Sequence, residues 1–545
     1  MARQKPVPVI DLFAGPGGLG EGFSSLTDEN GERRFALRVS IEKDPVAHQT
    51  LSLRALFRAF PKGKAPDCYY DYVRGEISRE ELFSHPSVPE EARAAASEAK
   101  HAELGKTPHK EIDAWISEAL KGADEWVLIG GPPCQAYSIA GRSRRTRETT
   151  ADFEKDEKHF LYKEYLRIIR CFSPSVFVME NVKGILTSKH GGSPIFGRIL
   201  ADLAAPGGDF EYRIRSFTVP MQGGDPEPND FVIEAERFGV PQCRHRVILF
   251  GIRSDLADGT PALAEEPRRF VLTPARKPVG VAETLSGLPP LRSRLSQEPD
   301  SHESWLSALE SATDGFKWSR SPSRPLMEAA MARAWRKAAT HDSHGGRFDP
   351  REVVTDSSMP TALRSWFHDP RLKGVLQHET RRHMRTDLHR YLFASCFAQA
   401  FGHSPKLAMF PLRLLPAHGN VGDEDVPFND RFRVQVAGLP ATTVVAHIAK
   451  DGHYYIHPDP AQCRSLTVRE VARLQTFPDN YFFEGYRTEQ YVQIGNAVPP
   501  WLAKQIADVV LGFLTESRPG SRRQPRPHLS MRPESRAVPT AFSGP

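Results

Sequence analysis

Cys134 is the residue whose type and neighbours best fit covalent chemistry. It lies in the segment GGPPCQAYS, after an apolar run, WVLIGG, that predicts a buried strand. A lone cysteine is more often a buried packing residue than a reactive one. Here the flanking glycines and prolines, residues 130–133, would pack poorly in a core but would stiffen a turn. A thiolate on a rigid turn at a strand end can attack an electrophile, so we predict a nucleophile.

Charged residues follow or begin other apolar runs. Glu180 ends the run VFVME, and a carboxyl group there could hold a proton on a base nitrogen or simply form an ion pair. Arg244 and Arg246 occupy alternate positions entering a strand, so their side chains point the same way. They could bind a carboxylate, a carbonyl or a phosphate, although an ordinary strand edge explains the two arginines equally well.

A glycine-rich turn, DLFAGPGG, follows the first apolar run of the chain. Glycine permits close approach of a ligand to the backbone, but this turn lacks the Lys-Ser/Thr pair of a phosphate-binding loop. Glu42 follows the second run, where an acid commonly accepts hydrogen bonds from ribose hydroxyls. A solvated loop acid is the alternative for Glu42.

The elements that must position these residues alternate between strand and helix. The opening strand–turn–helix–strand pattern indicates an α/β fold with a parallel sheet. Ligands of such sheets lie outside the carboxyl ends of the strands, so the reactive loops are expected to meet there. The sequence predicts strands at 7–13, 35–44, 126–131, 174–181 and 246–253, and a helix at 45–60.

The remaining segments have weaker patterns. An Ala-, Glu- and Lys-rich stretch at 85–121 predicts an inserted, solvated helical segment. Residues 378–402 predict a basic helix, and 431–448 alternate as strands do. We divide the chain into a catalytic and cofactor-binding domain (1–270), a second, mixed domain (271–484), a return to the catalytic domain (485–514) and a disordered Pro-, Arg- and Ser-rich tail (515–545).

Composition narrows the class of protein. The 545 residues have a net charge of +5, which is weak support for a polyanionic partner unless the charge is clustered. None of the six cysteines forms a C-x-x-C pair, so we expect no metal site. We find neither a signal peptide nor an apolar run long enough to span a membrane, and we expect a cytoplasmic, nucleoid-associated protein.

Six motifs, in order, resemble the DNA (cytosine-5) methyltransferases of bacterial restriction-modification systems. They are DLFAGPGG, GGPPCQAYS, MENVKG, QCRHR, RSLTVREVARLQTFPD and QIGNAVPP. The resemblance covers residues 8–58, 126–253 and 464–510. It implies a Rossmann-like S-adenosylmethionine-dependent methyltransferase domain with a second, target-recognition domain.

The resemblance also implies residue roles. Cys134 would be the nucleophile, Glu180 would bind a flipped cytosine with help from Arg244 and Arg246, and the Pro132 carbonyl would meet the exocyclic amine of the base. The cofactor pocket would comprise Phe13, Gly15, Gly17, Glu42, Glu76, Leu161 and Asn496. Glu76 is assigned from a Gly75-Glu76-Ile77 match to a position near the third strand. Apart from the resemblance, the loop with Ser138, Arg142, Arg144 and Arg145 is predicted to contact DNA phosphates, although a run of arginines alone is more often a solvated surface.

The implied partners are S-adenosylmethionine, double-stranded DNA and a restriction endonuclease of the same specificity, and we expect a monomer. Two alternatives remain open at this point. One is an RNA cytosine-5 methyltransferase built on the same domain, although the large second domain favours duplex DNA. The other is a non-catalytic DNA-binding regulator that kept the fold.

Overall fold

A twisted eight-stranded sheet lies at the centre of the computed structural model, which describes residues 5–133, 161–190, 193–220, 226–313, 324–353, 358–416 and 431–518. The order of the strands is β3-β2-β1-β4-β5-β8-β6, and β7 pairs with β8. The first five strands are parallel, and β8 runs antiparallel to β5, β6 and β7. The strands are β1 (Val7–Leu12), β2 (Phe35–Glu42), β3 (Ala99–His101), β4 (Val127–Gly130), β5 (Val176–Val182), β6 (Tyr212–Ser216), β7 (Val232–Glu234) and β8 (His245–Arg253).

Helices cover both faces of this sheet and build a second region. They are α1 (Gly18–Ser24), α2 (Pro45–Arg58), α3 (Asp67–Arg74), α4 (Arg79–Ser84), α5 (Glu90–Ala95), α6 (His109–Ala119), α7 (Leu161–Phe172), α8 (Phe196–Ala204), α9 (Ser254–Asp258), α10 (Ala262–Glu265), α11 (Val281–Leu285), α12 (His302–Glu310), α13 (Arg324–Ala338), α14 (Thr361–Phe367), α15 (Arg385–Phe401), α16 (Val468–Leu474), α17 (Arg487–Asn496) and α18 (Pro500–Glu516). Short strands pair at Lys189–His190 with Ser193–Pro194, Gln242–Cys243 with Ala441–Thr442, Arg294–Leu295 with Arg382–His383, and Gly345–Asp349 with Val375–Glu379.

The five strands predicted from apolar runs are confirmed, as is the α/β class. Because the central strands are buried on both faces, they appear in the sequence as continuous apolar runs. One face packs on α1 and α18 through residues such as Val9, Phe23 and Phe513. The other face packs on α6, α7 and α8 through residues such as Leu128 and Ile168.

The prediction that 85–121 is a solvated helical insert is wrong in part. The segment contains β3, which pairs with β2 at the edge of the sheet, and Ile112 and Ile116 of α6 are buried. A strand of three residues, AKH, has too little apolar character to be recognised from its pattern. The insert therefore belongs to the main sheet.

The second region has its own cores. One is built around α12, α13 and α15, with Trp305, Met331 and Tyr391 fully or almost fully buried. A further core joins α11, α16 and α17, so residues on both sides of the predicted boundary at 484 pack together. The prediction of a helix at 378–402 is confirmed from Arg385 onward, after the short strands at 375–379 and 382–383.

The strands predicted within 431–448 are mostly wrong, because only Ala441–Thr442 is a strand. Side chains satisfy the backbone there instead of a β-ladder. Thr442 N donates to Gln435 Oε1 (2.9 Å), and Val445 N donates to the Tyr455 hydroxyl (3.2 Å). These partners are side chains seven and ten residues away, and such contacts do not require alternation of apolar and polar residues.

Three buried arginines lie on α16 or just before it. Arg464, Arg469 and Arg473 are each about 1% exposed or less. Arg464 forms a two-pronged ion pair with Glu470 (2.6 and 2.7 Å), and Arg473 pairs similarly with Asp479. Burial alone would raise the pKa of Glu470, but the Arg464 guanidinium overcomes burial and lowers that pKa.

Replacing Glu470 with glutamine is expected to cost about 3–5 kcal/mol of folding free energy, because Arg464 would keep a buried, unpaired charge. Urea unfolding at neutral pH measures this loss. Because the pKa of Glu470 is lowered by folding, the stabilisation should be present at neutral pH and decline below about pH 4.3. Glu328→Gln at the exposed Arg324–Glu328 pair is the control, with an expected change within about 0.5 kcal/mol. Equal effects of the two substitutions would contradict the prediction.

Within the described ranges, no helix combines the length and apolar character needed to cross a membrane. The same residues contain no cluster of three or more His, Cys, Asp or Glu arranged to hold a metal ion.

Candidate active site

Glu180 and Arg246 form an ion pair at the end of the central sheet. Their strands, β5 and β8, are antiparallel neighbours, and Arg246 Nε lies 3.0 Å from Glu180 Oε1. Each side chain is 15% exposed, so the pair is mostly buried but keeps some contact with solvent. Burial lowers the pKa of Arg246, and the Glu180 carboxylate opposes that shift. The pair offers a carboxylate of fixed orientation in a largely dry setting.

The turn after β4 lies directly against this pair. A Cβ atom placed on Gly131 would approach Glu180 Oε2 to 2.8 Å, so only glycine fits there without a shift. Asn181 Nδ2 donates a hydrogen bond to the Pro132 carbonyl (3.4 Å), while its Oδ1 accepts one from Val182 N (2.8 Å). These contacts bring the predicted base-binding residue Pro132 to the predicted Glu180.

The predicted nucleophile and the predicted DNA-contacting residues lie outside the described residues. Cys134 lies two positions after Pro132 in the sequence. The other residues of this group are Ser138, Arg142, Arg144 and Arg145.

Arg244 has backbone partners. Its Nη1 donates to Val444 O (2.9 Å) and its Nη2 to Gly495 O (3.2 Å), and the residue is 2% exposed. Burial and then the nearby Arg246 charge lower its pKa well below the usual value. Among the described contacts its guanidinium does not hydrogen-bond Glu180. Arg244 therefore does not bind Glu180 itself. It fixes the backbone at residues 444 and 495, and it can affect the Glu180–Arg246 pair only indirectly.

A second cluster lies at the ends of β1 and β2. Gly15 N and Asp44 N each donate to the Glu42 carboxylate (2.8 Å), which ties the glycine turn to the second strand. The turn uses left-handed backbone angles, with φ of 57° at Phe13, 58° at Gly15 and 90° at Gly17. Burial raises the pKa of Glu42. A Cβ on Gly17 would lie 2.8 Å from the Leu51 side chain, so the turn packs closely against helix α2 at this position.

Comparisons with known proteins identify the family of this chain. The family described as C-5 cytosine-specific DNA methylase matches residues 90–511. The type II methyltransferase M.Bpa9945I of Bacillus paralicheniformis is 31% identical, over 92% of this chain and 99% of its own. This chain belongs to the C-5 cytosine-specific DNA methylase family.

Other relatives point the same way. The type II methyltransferase M.AgeI of Thalassovita gelatinovora is 26% identical over 92% of this chain and 98% of its own. The DNA (cytosine-5-)-methyltransferase M.ApeKI of Aeropyrum pernix is 27% identical over 72% and 83%. A solved structure from E. coli is described as a DNA modification methyltransferase encoded within a prophage. Its match covers 93% of this chain and 99% of its own, with a TM-score of 0.50 and 19% identity. This similarity supports the fold. The protein is thus a methyltransferase of the DNA (cytosine-5-) class.

The prediction for Glu76 in this methylase rests on a wrong premise. Gly75 ends helix α3 with φ of 90°, and no strand precedes it directly. The Glu76 carboxylate is on the surface and pairs with Arg74 (2.7 Å). The third strand is β3, and the loop after it lies beside Glu42, because Ala102 N donates to Glu42 O (3.1 Å).

The loop after β3 also reaches the predicted Leu161. A Cβ on Gly105 would lie 3.5 Å from Leu161 Cδ2, at the start of α7. Sequence reasoning missed this loop because β3 gives almost no periodic signal. Asn496, the last residue of α17, is exposed. The chain brings the neighbouring Val498 to the glycine turn, since a Cβ on Gly18 would meet its carbonyl oxygen.

Substituting Gly495 with alanine is expected to disturb this methylase. A Cβ there would lie 2.5 Å from Ala446 N and 2.6 Å from Val445 C, so α17 and that segment would have to separate. Overpacking of this kind costs about 1–3 kcal/mol, which denaturant unfolding measures. Gly512→Ala in α18 is the control, because its Cβ meets nothing within 4 Å, and it should stabilise by about 0.5–1 kcal/mol. If Gly495→Ala left the free energy of unfolding unchanged, α17 and the segment at 445–446 could separate without loss of stability, and the prediction would be wrong.

Proposed function

We propose that this methylase transfers a methyl group from S-adenosylmethionine to carbon 5 of a cytosine flipped out of a specific duplex DNA sequence. The observation that carries the proposal is the Glu180–Arg246 ion pair held against the Pro132 turn, two positions before Cys134. A flipped base at this place would meet a carboxylate and a backbone carbonyl along its hydrogen-bonding edge.

In the proposed reaction the Cys134 thiolate adds to carbon 6 of the ring. Glu180 holds a proton on ring nitrogen 3, which lets the electron pair move towards carbon 5. Arg246 fixes the orientation of Glu180, and the Pro132 carbonyl accepts a hydrogen bond from the exocyclic amine. After carbon 5 is methylated it loses its proton, the electron pair returns, and the bond to Cys134 breaks.

The proposed cofactor pocket combines the glycine turn, Glu42, Leu161 and Asn496. Its residues fit the group, because a partly buried carboxylate at the end of β2 and a left-handed turn with free space at Gly15 suit ribose hydroxyls and close backbone approach. When bound, S-adenosylmethionine supplies an electrophilic methyl group.

The proposed DNA contacts come from two parts of the chain. Arginines 142, 144 and 145 would bind phosphates, and Ser138 would permit the loop to close over the base. The region 271–484 would read the sequence through the major groove. Because the described base-side and cofactor-side residues are contributed by one chain, we propose that a monomer is active.

A methylation assay tests the proposal. Purified protein with labelled cofactor is expected to label duplex DNA and to leave tRNA unlabelled, and mapping of 5-methylcytosine should give one recurring sequence context. Labelling of tRNA alone would favour the RNA methyltransferase, and binding to DNA without transfer would favour the regulator.

We further propose that the protein works in the cytoplasm, at the nucleoid, as the modification partner of a restriction endonuclease. The relatives named type II methyltransferases support this. An endonuclease encoded nearby should cut unmethylated DNA and spare DNA treated with this protein; cleavage of both substrates would refute the pairing.

A further inference from the structure

Two buried glutamines lie between the base side and the cofactor side of this site. Gln242 and Gln475 are both fully buried. Gln242 Nε2 donates to Gln475 Oε1 (2.5 Å), and Gln475 Nε2 donates onward to Ala497 O (2.5 Å). The other end of Gln242 accepts a hydrogen bond from Val444 N (2.8 Å). The two amides form one chain of directed hydrogen bonds from residue 444 to residue 497.

Arg244 runs beside this chain and links the same two segments. It binds Val444 O and Gly495 O, whereas the glutamines bind Val444 N and Ala497 O. The N–H and the carbonyl of Val444 are therefore both hydrogen-bonded. At the other end of the network, the accepting carbonyls of Gly495 and Ala497 flank Asn496. We call Gln242, Arg244 and Gln475 the buried lock.

The segments joined by the buried lock have different tasks in the proposed function. Asn496 belongs to the proposed cofactor pocket. Val444 lies in the proposed recognition region (271–484) and follows the Ala441–Thr442 strand, which pairs with Gln242–Cys243. Arg246, two residues after Arg244, holds Glu180. A shift of any one of these segments must be shared by the others or must leave a buried polar group without its hydrogen bond, which is unfavourable.

We infer that Gln242 and Gln475 are positioning residues that couple cofactor binding to DNA binding. The inference rests on the proposed function. Cofactor binding at Asn496 restrains residues 495–497, and the lock transmits that restraint to Val444 and so to the recognition region. Because coupling is reciprocal, DNA must tighten cofactor binding by the same factor.

Calorimetric titration tests the coupling. The dissociation constant of S-adenosylhomocysteine, which cannot react, is measured with and without a duplex carrying the sequence that the wild type methylates. In the wild type we expect DNA to tighten binding about 5–150-fold, the usual range of such coupling. In Gln475→Met and in Gln242→Met the factor should fall towards one, with binding of S-adenosylhomocysteine alone changing less.

Gln377→Met is the matched control. Gln377 is also a buried amide, and it bonds Phe483 N and O outside the lock. This variant should keep the wild-type coupling factor. If a single lock variant does not fold, the double variant Gln242→Met/Gln475→Met removes both amides together, which is less costly than leaving one unpaired.

Each outcome decides the inference. The inference would be overturned if the lock variants kept the wild-type coupling factor, or if Gln377→Met lost coupling equally. It would also be overturned if neither the single nor the double lock variants folded, because the lock would then serve stability alone. A wild type that binds both ligands without coupling would also overturn it while leaving the proposed function intact. A wild type that does not bind DNA would refute the proposed function itself.

Discussion

Cys134→Ser should abolish methyl transfer while leaving the fold and cofactor binding intact. The serine hydroxyl ionises far less readily than a thiol, so the variant lacks a nucleophile for carbon 6. Losing an essential nucleophile reduces turnover by a factor on the order of 10⁴ or more. Single-turnover transfer of a labelled methyl group to DNA measures the loss. Cys171→Ser is the control, because Cys171 is an exposed, free thiol, and it should keep full activity.

A trapping experiment separates this prediction from simple damage to the protein. In the presence of S-adenosylmethionine, 5-fluorocytosine in duplex DNA is methylated at carbon 5 but then has no carbon-5 proton to lose, so the wild type should stay bonded to it through denaturing electrophoresis. Cys134→Ser should bind the same DNA without forming the adduct. Robust turnover or an adduct in the serine variant would remove Cys134 from the mechanism.

Glu180→Gln should slow methyl transfer by about 100-fold or more, the usual contribution of a positioned acid or base. The amide keeps the shape of the side chain but no longer matches the Arg246 guanidinium, 3.0 Å away in the native pair. The measurement is kcat on the DNA sequence methylated by the wild type, with binding of the DNA followed separately.

Glu236→Gln is the matched control for Glu180→Gln. Glu236 is 17% exposed and pairs with His245 (2.7 Å) on the same strand β8, and we place it outside the chemistry. Its loss should change kcat less than about threefold, in keeping with a partly exposed pair worth about 0.2–1 kcal/mol. Comparable losses in the two variants would show that any charge near β8 matters and would contradict the role given to Glu180.

Local patterns were sufficient for five of the eight strands of the sheet and for the residues at the ends of those strands. The runs VPVIDL, VLIG and VFVME are strands because buried parallel strands must be apolar on both faces. The carboxyl ends of such strands share one edge, so Glu42, Glu180 and the Pro132 turn could be expected together from the sequence. The motif order also indicated the family to which the chain belongs.

Only the tertiary structure decided which partners these residues have. Arg244 and Arg246 look equivalent in QCRHR, yet one binds distant carbonyls at 444 and 495 and the other pairs with Glu180. Glu76 was matched to a position near the third strand because that strand, at residues 99–101, is too short to produce a pattern. Residue type and local periodicity determine which segments become strands and helices, but hydrogen bonds between segments hundreds of residues apart depend on packing that no local window contains.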